Sequence, residues 1–209
     1  MKLYGHATSP YVRKVRIALH ERNLRFEWVQ EAPVQLGARI VELNPLAKVP
    51  VIETDDGQVF FDSALIIEYL DSLGVERLIP PEGADRFRAL SWNTLGAGVV
   101  DATVARLLEG RRPEGEKSKR FIVRQEETVA RALAWAEKAI PNAPYLVGTR
   151  FGIADLGTGL ALEYIDFRYP HDWRSTRPRL AKWLAGISTR GSFAETAPPG
   201  MEKVPDGPH

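Results

Sequence analysis

The chain has no cysteine among its 209 residues. A chain without cysteine forms no disulfide, offers no thiolate to a metal ion and has no cysteine nucleophile. Its 4 histidines lie far apart, and none forms a His-x3-His or His-Glu-x-x-His pair of the kind that binds a metal. The sequence therefore predicts no metal site, and it excludes any mechanism that uses a cysteine of the protein.

Strong charge of one sign and long apolar runs are also absent. The formal net charge is +1 at pH 7 with both signs mixed along the chain, so we expect neither a nucleic acid nor an anionic membrane as a partner. No apolar run approaches the roughly 20 residues that cross a bilayer. The opening residues show no pattern of a secretory signal. These features favour a globular protein of the cytoplasm.

Strand and helix patterns alternate over residues 1–75. An Asp-Gly turn at residues 56–57 joins the last two strands and is the clearest hairpin signal in the chain. The order βαβαββα predicts an α/β domain in which a helix links parallel strands and the hairpin adds an antiparallel edge. The strand patterns occupy residues 2–6, 25–30, 49–54 and 58–61, and the helix patterns occupy residues 10–22, 35–43 and 62–74.

The first predicted helix has a clear apolar face. Val12, Val15 and Leu19 recur at helical spacing, and Pro10 suits the first turn. The charged residues at 13, 14, 16, 21 and 22 lie largely on other faces. We therefore expect the apolar side of this helix to pack on the sheet.

The rest of the chain is helical in character. Residues 76–84 contain Pro80-Pro81 and no sustained period, which is typical of a linker. Beyond them, no convincing hairpin appears. We predict an all-α domain at residues 85–196 and a Pro- and Gly-rich tail at residues 197–209. The helix patterns of the second domain occupy residues 85–108, 117–139, 153–164 and 180–188.

The first candidate for chemistry is Thr8-Ser9-Pro10, between the first strand and the first helix. Ser9 can cap the helix, and helix N-termini concentrate free N–H groups and partial positive charge. This place suits an anion. A helix cap with no further role explains the same residues.

The second candidate is Lys48-Val49-Pro50, just before the predicted hairpin. A proline that opens a strand often marks a special turn, and we expect a cis bond between Val49 and Pro50. Such a bond would leave the N–H and C=O of Val49 free to pair with an extended peptide. An ordinary trans proline at a strand start is the alternative.

The third candidate is Asp62-Ser63, where the third helix begins. A hydroxyl and free helix N–H groups can hold a carboxylate, and the aspartate can hold an ammonium group. Together they match the head group of an α-amino acid. A plain helix cap is again the alternative, since Asp-Ser is a good one.

These segments occur in a known order. Ser9-Pro10 follows the first strand, residues 44–50 (Asn-Pro-Leu-Ala-Lys-Val-Pro) precede the third, and residues 62–70 (Asp-Ser-Ala-Leu-Ile-Ile-Glu-Tyr-Leu) open the third helix. The arrangement resembles the N-terminal domain of the cytosolic glutathione transferases. The resemblance extends roughly over residues 1–195 and is closest to bacterial members with a serine at the first position. It implies a thioredoxin-like fold for the N-terminal domain.

The resemblance also implies a role for each candidate residue toward glutathione, the co-substrate of the family. Pro50 would follow a cis peptide bond, and the backbone of Val49 would pair with the cysteinyl part of glutathione. Lys48 would meet the glycine carboxylate. Asp62 and Ser63 would hold the γ-glutamyl end.

Ser9 is implied to donate a hydrogen bond to the glutathione sulfur and so to favour its thiolate. A free thiol has a pKa of about 8.5 and is mostly protonated at pH 7. Tyr4 and Tyr11 are alternative donors, because some members of the family use a tyrosine near the first strand. The position of Ser9 at a helix N-terminus favours Ser9.

The second domain carries a further resemblance at residues 146–155, the segment before a buried helix of the family. Glycine stands at position 152, where the family usually has a serine or threonine cap. Glycine costs only a few tenths of a kcal/mol at this position. We expect Asp155 to accept a hydrogen bond from the Gly152 N–H, and Phe151 to pack with Leu156 as a hydrophobic staple.

The resemblance implies a detoxifying transferase in which glutathione attacks a small electrophile held by the helical domain, within a homodimer. A glutathione-binding protein that serves interaction or regulation without catalysis is the alternative on the same fold. A thiol–disulfide oxidoreductase of the thioredoxin kind requires a cysteine and is excluded, as are the cysteine-dependent transferases. The identity of the electrophile and the subclass do not follow from the sequence.

Overall fold

The computed structural model describes residues 1–31, 39–74 and 76–201. These residues form two compact units. The first unit comprises Met1–Pro81 together with Arg190–Gly200, and the second comprises Glu82–Thr189. Part of the predicted second helix, at residues 35–38, lies outside the described residues.

The first unit is built on a four-stranded sheet in the order β2-β1-β3-β4. β1 pairs with β2 in parallel, and β3 is antiparallel to both β1 and β4. This confirms the predicted parallel pair and the predicted hairpin. The strands are β1 (Lys2–Gly5), β2 (Glu27–Gln30), β3 (Val51–Glu53) and β4 (Val59–Phe61). The helices within Met1–Pro81 are α1 (Pro10–Glu21), α2 (Arg39–Leu43) and α3 (Ser63–Ser72).

The sheet is covered on both faces, as expected for an α/β unit. Successive residues of a strand point to opposite faces. Leu3 is fully buried, and its neighbour Tyr4 is buried in a cluster with Ile40 of α2 and Val51 of β3. α1 and α3 contact each other. The apolar face of α1 is buried as the sequence predicts.

The structure differs from the sequence prediction on the charged side of α1. Arg13 and Lys14 are both buried, with 4% and 6% of their surface exposed. A short helix, α8 (Gly191–Glu195), which the sequence analysis did not predict, contacts α1. The guanidinium of Arg13 donates to the Phe193 carbonyl of this helix at 3.0 Å. The Arg13 guanidinium is therefore hydrogen-bonded within the fold and does not face solvent.

The division into units differs from the predicted domain boundaries at two places. Residues 190–196, which the sequence places in the helical domain, belong to the first unit. The cause lies in side chains such as Arg190, which donates to Glu21 of α1 at 2.7 and 2.8 Å. The first unit also extends to Pro81, because the buried carboxylate of Asp71 accepts the N–H groups of Leu78 and Ile79 at 3.0 and 2.7 Å.

The second unit is all helical. Every residue from 153 to 165 of helix α6 (Ile153–Arg168) is buried, so this helix forms the core of the unit. Helix α4 (Gly83–Gly110) crosses α6 very closely, since a Cβ added at Gly96 would lie 2.4 Å from the Gly157 carbonyl oxygen. The helices are α4 (Gly83–Gly110), α5 (Lys119–Ala139), α6 (Ile153–Arg168) and α7 (Pro178–Ser188), with a 3-10 turn at Glu114–Glu116. In the described part of the chain, no helix has both the length and the apolar character that crossing a membrane requires.

The start of α6 confirms the predicted cap. The Gly152 N–H donates to one oxygen of Asp155 at 2.9 Å, and the Leu146 N–H donates to the other at 2.8 Å. Asp155 is fully buried, and Phe151 and Leu156 are buried at the staple positions. The aspartate thus supplies the reciprocal half of a capping box and also binds a backbone N–H of the preceding segment.

Candidate functional site

The three candidate segments meet at one end of the sheet. Tyr4 of β1 lies opposite Val51 of β3, and Val51 lies opposite Phe61 of β4. Because β3 is antiparallel to both neighbours, the chain leaves β1, enters β3 and leaves β4 at the same end. Neighbouring strands are about 4.8 Å apart, so the three segments span about 10 Å, the length of an extended tripeptide.

Ser9 lies where β1 leads into α1. Its Oγ accepts the Val12 N–H at 3.3 Å, and its own N–H donates to the His6 carbonyl at 3.1 Å. The side chain is 5% exposed. No described residue accepts the Ser9 hydroxyl proton. The predicted cap is therefore present, and the hydroxyl keeps a donor for a ligand.

Tyr4, one of the two alternative donors, is engaged elsewhere. Its hydroxyl donates to Glu53 at 2.7 Å, and Glu53 also accepts from Arg39 at 3.1 Å. Burial, together with the hydrogen bond to Glu53, raises the pKa of Tyr4 to about 12. A donor to a sulfur must have its proton available, and the Tyr4 proton is committed to the carboxylate. Tyr11, the other alternative, is half-buried in the first turn of α1.

The bond between Val49 and Pro50 is cis, as predicted. Within the described residues, neither the N–H nor the C=O of Val49 has a hydrogen-bond partner. The side chain of Val49 packs against the buried cluster of Tyr4 and Val51, which fixes the residue. A peptide group with both hydrogen-bonding positions open at the end of a sheet is suited to pairing with an extended peptide. Lys48 is exposed beside it.

Asn44, which the sequence analysis did not single out, shapes this loop. It is 1% exposed, and its amide donates to the Lys48 carbonyl at 2.8 Å. Its side-chain oxygen accepts the Leu46 N–H at 3.0 Å. Buried asparagine is costly unless its amide is hydrogen-bonded, and here both ends are. The residue pattern offers no sign of these two bonds, which form within the loop.

Asp62 and Ser63 begin α3. Asp62 is the N-cap, and its carboxylate accepts the Ala64 N–H at 2.8 Å. Its φ of 70° is rare for a residue other than glycine, and such backbone costs of order 1–3 kcal/mol and is found mostly at functional sites. Ser63 is buried, and in the described part of the chain its hydroxyl has no partner. The aspartate is exposed, so its second oxygen is open to a ligand.

The arrangement therefore offers two helix N-termini on either side of an open peptide group. Each N-terminus carries partial positive charge and free N–H groups, which suits a carboxylate or a thiolate. The open peptide group of Val49 suits the backbone of a short extended ligand. Such a site favours a small acidic peptide.

Comparison with known proteins identifies the family. Family models of the glutathione S-transferase N-terminal and C-terminal domains match residues 8–73 and 97–186. The uncharacterized GST-like protein YibF of Escherichia coli K12 is 33% identical over 201 residues, which cover 95% of this chain and 99% of YibF. The chain therefore belongs to the glutathione S-transferase family.

Solved structures show the same similarity. A glutathione S-transferase of Methylobacterium radiotolerans, in complex with glutathione sulfonate, has a TM-score of 0.88 and 33% identity, and the match covers 94% of each chain. A glutathione S-transferase of Methylobacillus flagellatus with bound glutathione has a TM-score of 0.90 and 36% identity, over 94% of this chain and 98% of that one.

Proposed function

We propose that the protein is a glutathione transferase that binds glutathione at the end of the sheet described above and activates it as a thiolate. The observation that carries the proposal is the open peptide group of Val49 between the N-termini of α1 and α3. The similar solved structures that hold glutathione or glutathione sulfonate support it.

The proposed roles follow the order of the strands. The backbone of Val49 pairs with the cysteinyl residue of glutathione, and Lys48 meets the glycine carboxylate. Asp62 holds the ammonium group of the γ-glutamyl end. Ser63 and the N-terminus of α3 hold its carboxylate.

The proposed chemistry begins with the thiol. Its proton leaves to solvent more readily when a donor and partial positive charge stabilise the anion, and Ser9 with the N-terminus of α1 supplies both. The thiolate sulfur then forms a bond to the electrophilic carbon, and the displaced group leaves with its electron pair. Each unit by which the thiol pKa falls corresponds to about 1.4 kcal/mol of thiolate stabilisation.

Calorimetric titration with reduced glutathione tests the site. We expect binding by the wild type and an affinity about 10-fold lower in Ser63→Ala, because a hydrogen bond to a charged group contributes about 1.5–3 kcal/mol. Ser72→Ala, a serine at the other end of α3, is the matched control and should bind like the wild type. Absence of wild-type binding at millimolar glutathione would contradict the proposal.

The thiol pKa of bound glutathione, measured from the ultraviolet absorbance of the thiolate, separates thiol activation from binding alone. Bound glutathione whose thiol pKa equals that in solution would indicate a binding protein without thiol activation. A lowered thiol pKa would indicate a transferase.

We also propose that two copies of the chain form a homodimer, as the family resemblance implies. Support comes from large apolar side chains that are exposed in the single chain. They include Leu65 of α3, which is 52% exposed, and Phe87 and Leu108 of α4, which are 71% and 57% exposed.

A further inference from the structure

Arg13 is a buried cation one helical turn after Ser9. It is 4% exposed, and its backbone N–H donates to the Ser9 carbonyl at 3.0 Å. Arginine is almost never fully buried unless its charge is compensated. None of the proposed contacts with glutathione requires this side chain, so its burial calls for another explanation.

The guanidinium of Arg13 is held by the α8 segment, residues 190–196. Its Nη2 donates to the Phe193 carbonyl at 3.0 Å, and its Nε donates to the Thr196 hydroxyl at 3.3 Å. The guanidinium carbon also lies 5.7 Å from the centre of the Phe193 ring. Thr196 is fully buried, and its hydroxyl donates to the Ser192 carbonyl at 2.7 Å. Arg13 thus joins the end of α8 to the first turn of α1.

A second anchor joins the α8 segment to the other end of α1. Arg190 donates to both oxygens of Glu21 at 2.8 and 2.7 Å, and the Ser192 hydroxyl donates to the same carboxylate at 2.5 Å. Glu21 lies about three turns from Ser9. The α8 segment therefore contacts α1 close to the candidate site through Arg13 and remote from it through Glu21, and Glu195 adds contacts with Arg16 and His20.

The first turn of α1 is also in close contact with β1. A Cβ added at Gly5 would lie 2.4 Å from a methyl carbon of Val12, so the end of β1 is in direct contact with this turn. Ser9 caps the same turn through the Val12 N–H. The turn is therefore held both by its contact with β1 and by the bonds of Arg13.

We infer that Arg13 is a positioning residue, which with the α8 segment fixes the first turn of α1 and thereby the direction of the Ser9 hydroxyl. This inference rests on the proposed function. Arginine suits the task because its planar fork reaches the Phe193 carbonyl and the Thr196 hydroxyl at once. Lysine keeps the charge but offers a single flexible ammonium group, so Arg13→Lys changes the geometry without removing the cation.

The experiment compares Arg13→Lys with Arg190→Lys, each of which weakens one anchor of the α8 segment. The thiol pKa of bound glutathione is measured from the ultraviolet absorbance of the thiolate at saturating glutathione, and thermal unfolding is measured in parallel. We expect Arg13→Lys to raise the thiol pKa by about 0.5–1 unit, which lowers the thiolate fraction about 3- to 10-fold below the pKa. Arg190→Lys should lower the unfolding temperature and leave the thiol pKa unchanged.

The outcomes separate this inference from the proposed function. A wild type that binds glutathione with a lowered thiol pKa, together with an unchanged pKa in Arg13→Lys, would overturn the inference alone. A wild type without glutathione binding would overturn both. If Arg13→Lys does not fold, Thr196→Val removes one acceptor of Arg13 at nearly constant volume and is expected to raise the thiol pKa in the same direction; no rise in that variant would also overturn the inference.

Discussion

The Ser9 side chain has two tasks that draw on different parts of one hydroxyl. Its oxygen accepts the Val12 N–H and so completes the start of α1. Its proton has no acceptor among the described residues and is available to a sulfur. Because the cap fixes the oxygen, the place from which the proton is donated follows from the position of the first turn. A helix cap and a catalytic donor are therefore compatible at this residue, although the sequence presented them as alternatives.

Replacing the hydroxyl tests this double role. We expect Ser9→Ala to raise the thiol pKa of bound glutathione by about 1 unit or more and to destabilise the fold by about 0.5–2 kcal/mol through loss of the cap. Ser9→Thr keeps a hydroxyl, so its thiol pKa and its stability should both stay close to the wild-type values. Ultraviolet titration of the thiolate and thermal unfolding measure the two consequences separately.

Tyr4→Phe is the matched control, since it removes a hydroxyl that donates to Glu53. The thiol pKa should stay at its wild-type value in this variant. An unchanged thiol pKa in Ser9→Ala, or a clear rise in Tyr4→Phe, would transfer the donor role from Ser9 to the tyrosine or to another group.

At the scale of elements, the short helix α8 is held by charge as much as by apolar contact. Burial alone would raise the pKa of Glu21, but the hydrogen bonds from Arg190 and Ser192 outweigh burial and hold the pKa below its usual value. A carboxyl whose pKa is lowered in the folded state stabilises the fold above its unfolded pKa of about 4.3. This stabilisation is lost as the pH falls through the folded value.

We therefore predict that Glu21→Gln destabilises the protein by about 1–3 kcal/mol at pH 7, as expected for hydrogen bonds to a partly buried charged group. The difference from the wild type should shrink below about pH 4, where the wild-type carboxyl also becomes protonated. Denaturant unfolding at several pH values measures it. Glu195→Gln, which removes a 65% exposed partner of His20, should cost less than about 1 kcal/mol at every pH. Equal and pH-independent losses in both variants would contradict the role of Glu21.

The elements show what the sequence could and could not predict. The long helices and the hairpin carry strong periodic signals, and they appear within a few residues of the predicted bounds. α8 has 5 residues, too few for a helical period, and it is held by contacts with residues about 170–180 positions earlier in the chain. Arg13 looked like a surface charge because periodicity reports polarity and not pairing. Tertiary contacts of this kind leave no local signal.

The candidate site shows the same contrast between features with a local sequence signal and features that depend on tertiary contacts. The sequence predicted the cis bond before Pro50 and the helix cap at Asp62, since proline and cap residues act through local backbone geometry. Asn44 was missed, because its importance lies in bonds to Leu46 and Lys48 that exist only once the loop has formed. The sequence left Tyr4 as an alternative donor. The evidence against it is the hydrogen bond from its hydroxyl to Glu53, which lies 49 positions further along the chain.

At the scale of the whole molecule, the two units have different cores. The first unit packs helices on both faces of a sheet, whereas the second is organised around one fully buried helix. Both leave large apolar side chains exposed, among them Leu65 in the first unit and Phe87 in the second. A second copy of the chain could cover such side chains and remove them from water. A stable protein interface typically buries about 1,600 Å² in total, which is enough area to cover several of them.

The predicted homodimer can be tested through Phe87, whose side chain is 71% exposed in the first turns of α4. We expect the wild type to sediment at about twice the chain mass of 23.4 kDa. Phe87→Glu should shift the equilibrium toward the monomer, because burying phenylalanine contributes about 1.5–3 kcal/mol and burying an unpaired carboxylate is costly. Val41→Glu adds the same charge at a 51% exposed position of α2 and should leave the mass unchanged. A wild type that sediments as a monomer at all concentrations would contradict the proposed dimer, and dissociation in both variants would indicate that charge and not the α4 surface controls assembly.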